Sequence, residues 1–211
     1  MAAKKAQKDV KRSVWNKGIE VGQRAPFTAQ EVKRIKTKLV KQGDDGLRDL
    51  ALFSMAIDTM LHSVDLLSLT VKDVRKRDRT IRETIKVPMA GTTSSVECML
   101  SKQTRIVLEN WLAQVAKKQN EPLFTGRNHT GKPLSPRQLS RLVKGWAAMI
   151  GLDTTGYGTE TLRRTRAIHI MHKTGNLEAV RKLLGHTKID YFPCRTMSRC
   201  ALTPLTIDAN G

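Results

Sequence analysis

The side chains best equipped for chemistry in this 211-residue chain are cations, and they come in clusters. Lys33, Arg34, Lys36, Lys38 and Lys41 crowd one stretch, Arg137, Arg141 and Lys144 a second, and Arg163, Arg164 and Arg166 a third, with Lys188 further on. Ammonium and guanidinium groups donate charge-assisted hydrogen bonds to phosphate oxygens, and each phosphate they neutralise releases counterion. Across the chain 38 Lys and Arg stand against 19 Asp and Glu, a formal net charge of +19 with pI ≈ 10.3, so the expected partner is a polyanion. Charge alone does not separate DNA from RNA. One carboxylate interrupts the third cluster. Glu160 lies three residues before Arg163, on the same face of a helix, where it can pair with the guanidinium and would repel a phosphate. As a plain first-turn acid it would suit the positive end of a helix equally well.

Other chemistries find less support. Cys98, Cys194 and Cys200 are odd in number and lack the paired spacing of a zinc site, so neither a disulfide framework nor a structural metal is expected. No run of about 18 apolar residues occurs, and the N-terminus lacks the apolar stretch of a secretory signal. The expectation is a protein of the cytoplasm or nucleoid with no membrane partner.

The elements that must position the cations follow from local pattern. With 39% hydrophobic and 27% charged residues, the chain can build a core. Residues 1–24 read as a flexible basic arm, 25–190 as the folded body and 191–211 as an atypical tail without clear period or cap. Thr28 and Glu31 have capping-box spacing and Phe27 and Val32 staple spacing, opening a helix that Gly43 should end. A second helix is expected from Gly46 to Leu61, and Ser63 offers a cap for a short turn through Leu66 and Leu67. β-branched stretches at 80–87 and 95–100 flank 90–94 and predict a hairpin. Helical period returns at 102–118 with Ser101 as cap, and Ser135-Pro136-Arg137-Gln138 opens a helix that runs to Gly151. Two more helices fit 161–173 and 177–184. The class is mainly α with a small antiparallel β-sheet or hairpin (α+β).

Two stretches carry a family resemblance: Thr161-Leu162-Arg163-Arg164-Thr165-Arg166-Ala167, and Val180-Arg181-Lys182-Leu183-Leu184-Gly185-His186-Thr187-Lys188-Ile189. Together they resemble the C-terminal signature of tyrosine recombinases, the phage integrase family. Upstream, Trp15-Asn16-Lys17-Gly18, Arg48-Asp49-Leu50-Ala51-Leu52-Phe53 and Asp65-Leu66-Leu67 are similar to short bacterial members. The resemblance implies a tyrosine-recombinase catalytic-domain fold that embraces double-stranded DNA, acts with other recombinase subunits, and uses neither metal nor cofactor. In that family a tyrosine hydroxyl attacks a DNA phosphate to give a 3′-phosphotyrosyl link while cationic donors stabilise the phosphoryl oxygens.

Carried over by position, the second arginine is Arg163 and the later histidine is His186. The remaining family positions hold other residues. The first arginine falls at His62, which has no bidentate fork. The hairpin lysine falls near Gly91, with Lys86 or Lys102 the nearest cations in sequence. The earlier histidine is Glu160, and the nucleophile falls at Arg195, leaving Tyr191 as the single tyrosine after His186. The resemblance therefore implies DNA binding through Arg164, Arg166, Lys188, Arg137, Arg141 and Lys144, in a protein of DNA integration and recombination whose strand cleavage is impaired or lost. The alternatives are an active recombinase using Tyr191, and a decayed product with neither role.

Overall fold

Helix α1 (Ala29–Lys41) starts at a reciprocal cap. Thr28 Oγ1 accepts from the Glu31 amide at 3.2 Å, and Glu31 Oε2 accepts from the Thr28 amide at 2.8 Å. The computed structural model describes residues 25–88, 95–126 and 131–176. The basic arm, the helix expected at 177–184, the tail, and Gly91, His186, Lys188, Tyr191 and Arg195 lie outside the described residues.

Helix α2 (Asp44–Thr59) is the centre of the fold. Leu50, Ala51, Leu52, Phe53, Met55 and Ala56 are all buried, so the middle of this helix is enclosed on every side, as an apolar stretch that turns through the full circle of a helix must be. It packs against α1, α5 (Lys102–Gln114) and α7 (Thr159–Thr174). Gly46 permits the α1–α2 approach, because a Cβ there would lie 2.1 Å from Leu39 O. Aromatic contacts bind the layers together. Trp146 of α6 (Pro136–Met149) meets Phe53 edge-on at 5.2 Å, and Phe27 stacks on Tyr157 at 4.9 Å. Inside this core Asp49 Oδ1 accepts from Arg48 Nε and Nη2 at 2.9 and 2.6 Å, and its Oδ2 accepts from Trp146 Nε1 at 3.4 Å.

Within the described residues the expected helices and hairpin are present, with shifted ends that have local causes. Helix α2 begins at Asp44 rather than Gly46, since Asp44 and Asp45 suit the positive end of a helix, and it stops at Thr59 because Met60 turns left-handed at φ 52°. Helix α3 (Ser63–Ser68) takes His62, not Ser63, as its N-cap, and a further short helix, α4 (Val71–Val74), carries a Thr70–Asp73 capping box. Strand β1 (Thr84–Pro88) pairs antiparallel with β2 (Ser95–Met99), Ile85 opposite Cys98 and Val87 opposite Val96. The first strand starts at 84, not 80, because residues 76–80 close a turn instead, with the Lys76 amide donating to Thr80 O at 2.9 Å. Helix α5 ends four residues before Lys118. Ala116 adopts φ 43°, and Lys117 turns inward to donate to Pro122 O at 2.7 Å and Thr125 Oγ1 at 3.1 Å, above the Trp111 ring. No helix among the described residues is long and apolar enough to cross a membrane.

Candidate nucleic-acid interface

Helix α7 is held in place by the segment that precedes α1. The Phe27 amide donates to Thr165 Oγ1 at 3.0 Å, Thr165 in turn donates to Thr161 O at 2.6 Å, and one turn later His169 Nε2 meets Phe27 O at 3.0 Å. This clamp sets the rotation of α7 about its axis and so the direction of Arg163. The αL turn at Met60 brings His62 out of the end of α2 to meet it.

The result is a three-residue group. Arg163 is 7% exposed, and its Nη1 lies 2.9 Å from His62 Nδ1 and in contact with Nε2 as well. Glu160 Oε1 stands 3.6 Å from His62 Nδ1, and these two side chains are about half exposed. Burial pushes the Arg163 guanidinium below its ordinary pKa, while Glu160 and the buried Asp65 pull it back, so the charge is retained. Arg164 has the same character: burial lowers it and Glu160 opposes the shift. His62 thus stands between the Arg163 guanidinium and the Glu160 carboxylate.

Three of the residues singled out from sequence, His62, Glu160 and Arg163, are thus brought together from two distant parts of the chain. Arg166 is exposed on α7, and with Asp58 it shares the electrostatic surroundings of Lys36 on α1, whose ammonium burial pushes below the usual lysine range. Arg137, Arg141 and Lys144 are exposed at helical spacing along α6, whose opposite side buries Leu139, Val143 and Trp146. Sequence reading missed two features. Asp65 acts behind Arg163 as a buried counter-charge, and nothing local signals that. A further cationic group spans Lys72–Arg82, and its signal is plain: five Lys or Arg fall within positions 75–82.

Comparisons with known proteins point one way. A model described as the Phage integrase family matches residues 26–192. The "Probable integrase/recombinase YoeC" of Bacillus subtilis is 28% identical over 163 residues, covering 75% of this chain and 80% of that protein. The "Tyrosine recombinase XerC" of Herpetosiphon aurantiacus is 30% identical over 172 residues, covering 79% of this chain and 53% of its own. The chain spans about half the length of this XerC relative. Among solved structures, the XerH site-specific recombinase bound to difH substrate superposes with TM-score 0.64 at 21% identity, over 80% of this chain and 49% of that one. The XerA recombinase gives 0.67 at 15% identity, over 84% and 64%. At these identities the structures speak for the fold, a tyrosine-recombinase catalytic domain.

Proposed function

The chain belongs to the phage integrase family, and from that premise we propose that it binds duplex DNA through its cationic surface, with its own strand-cleaving equipment impaired. The observation that carries this reading is the group at Arg163. Where the family pairs two guanidiniums on a phosphate, this chain sets His62 against Arg163 and adds the Glu160 carboxylate 3.6 Å from the imidazole. Arg163 retains the chemistry of a phosphate donor, and His186 is the proposed second retained member. Replacing one transition-state donor lowers rate by about 10²–10³. Two replaced donors beside a repelling carboxylate leave a site suited to holding a backbone and poor at cleaving it.

The fold and the charge support the binding half. Relatives of this fold include a recombinase whose structure is described as bound to its difH substrate. In this chain Arg137, Arg141, Lys144, Arg164 and Arg166 stand on two helices near or beyond the Arg163 group, and a net charge of +19 steers any duplex toward them. Other recombinase subunits are the proposed protein partners.

Two measurements test the reading. Duplex affinity measured from low to high salt should fall steeply on a log–log plot, and a flat response would remove DNA binding. A suicide DNA substrate should yield no covalent adduct. Trapping an adduct that vanishes in Tyr191→Phe would replace the proposal with an active recombinase.

A further inference from the structure

Between α4 and β1 the chain carries Arg75, Lys76, Arg77, Arg79 and Arg82 against two acids, Asp78 and Glu83. A charge run of this kind is ordinarily a solvated loop, but this one is built. The Lys76 amide donates to Thr80 O at 2.9 Å, the Arg79 amide donates to Lys76 O at 3.2 Å, and Arg75 bridges to Ile81. Val74 and Ile81 anchor the two sides in the core.

Three of the nearby carboxylates are already engaged. Asp78 Oδ1 accepts from the Thr80 amide at 3.0 Å and from its hydroxyl at 2.7 Å, which holds this carboxyl below the usual range. Glu83 pairs with Arg105 at 2.7 Å, and Glu109 accepts from the Ile81 amide at 3.4 Å. Lys76, Arg77, Arg79 and Arg82 are exposed, and so are Lys72 and Lys118 beside them, since the Lys72 amide donates to Gln119 O at 2.9 Å. Arg79 itself sits at φ 69°, a left-handed conformation that costs a side chain of this kind about 1 kcal/mol and that glycine would adopt without strain.

This turn stands apart from the Arg163 group. Helix α5 runs antiparallel to α2: the Ser101 amide donates to Asp58 near the end of α2, while Gln114 hydrogen-bonds Asp44 at its start. His62 follows the end of α2. The turn instead packs along α5 and beyond its far end, through the Ile81 amide donating to Glu109 at 3.4 Å and Arg75 Nη2 donating to Lys117 O at 3.2 Å. From the start of α5 these contacts lie about 10 to 20 Å away at 1.5 Å per residue, or roughly three to six base pairs of duplex.

We propose that the ordered turn at 76–82, with Lys72 and Lys118, is a second site for the phosphate backbone of duplex DNA, separate from the Arg163 group. The inference rests on the DNA-binding reading above and extends it. A rigid turn that holds several cations toward water presents donors to successive phosphates with little ordering entropy left to lose on binding.

The test compares two variants of the full chain, each lacking two cations: Arg77→Gln with Arg79→Gly, and Lys132→Gln with Lys173→Gln, the latter pair exposed outside the turn. Arg79→Gly removes the charge and relieves the left-handed strain, so a thermal melt at or above that of the parent shows that the fold is kept. Duplex affinity is measured by fluorescence anisotropy across a salt series. The slope of log affinity against log salt should fall by about 2 in the turn variant, roughly 0.9 for each lost phosphate contact, and much less in the control. An unchanged slope, or an equal loss in the control, would overturn the proposal. Duplexes of about 10 and 30 base pairs then separate the sources: a loss confined to the longer one means that one duplex spans both sites, and a loss with both means that the turn takes a duplex of its own. A parent chain that binds no duplex would instead defeat the DNA-binding reading from which the inference starts.

Discussion

The His62 imidazole lies against the Arg163 guanidinium, Nδ1 to Nη1 2.9 Å, across 101 residues of sequence. Glu160 closes the group 3.6 Å from the same ring nitrogen. A phosphate brought to Arg163 therefore meets a carboxylate already in place. Two like charges 4 Å apart cost about 1 kcal/mol in water and about 4 kcal/mol at an effective dielectric of 20.

Glu160→Gln should accordingly tighten duplex binding, by about tenfold at low salt, which corresponds to about 1.4 kcal/mol. Anisotropy titration reads this directly. An affinity that does not move would show that the carboxylate lies off the path of the backbone.

Stability should decline as the solution is acidified, in part through His169. Burial holds its folded-state pKa below the ordinary value of 6.5, with Arg166 and His172 adding to the shift and the hydrogen bond to Phe27 O opposing it. The unfolded chain thus takes up this proton first. The stability associated with the neutral ring is complete above about 6.5 and is lost as pH falls from there toward the folded pKa. Urea midpoints between pH 7.5 and 5.5 should show this slope, and His169→Gln should flatten it.

Cys98 should resist thiol reagents while the chain is folded. Its Sγ lies 3.6 Å from Thr59 O, and burial pushes the thiol up to about 11, so the reactive thiolate is scarce at neutral pH. In a chain with Cys194 and Cys200 replaced by Ser, labelling by an aromatic disulfide should be slow in buffer and fast in denaturant. Fast labelling in buffer would contradict the burial.

Asp49→Ala should be among the most damaging single changes in the core. It leaves Arg48 and the Trp146 indole without the carboxylate that both use, and breaking a buried pair from one side costs about 3–5 kcal/mol. For a chain of this size that lowers Tm by roughly 6–12 °C or more. A loss under about 1 kcal/mol would mean that the pair behaves as a surface contact.

How much of this was legible beforehand depends on range along the chain. The starts of α1, α5 and α6 follow from Thr28, Ser101 and Ser135, because a cap joins residues three apart and a short window contains all that is needed. The antiparallel hairpin and the apolar stripes of α1 and α6 are local in the same sense. The end of α5 was not legible: Lys117 leaves the helix for acceptors on Pro122 and Thr125, and the register of a helix does not show that a lysine will turn inward. Nor did Arg79 announce its left-handed backbone.

The amino-acid sequence by itself determined the charge of this protein, the capped starts of its main helices, and the residue types standing where a recombinase would hold its phosphate donors. Only the tertiary structure decided that His62, Glu160 and Arg163 meet. Their meeting depends on the αL turn at Met60 and on the clamp from Phe27 to Thr165 and His169, contacts between segments more than 130 residues apart. Periodicity describes which face of a helix turns inward. It carries no information about which distant side chain will be waiting there.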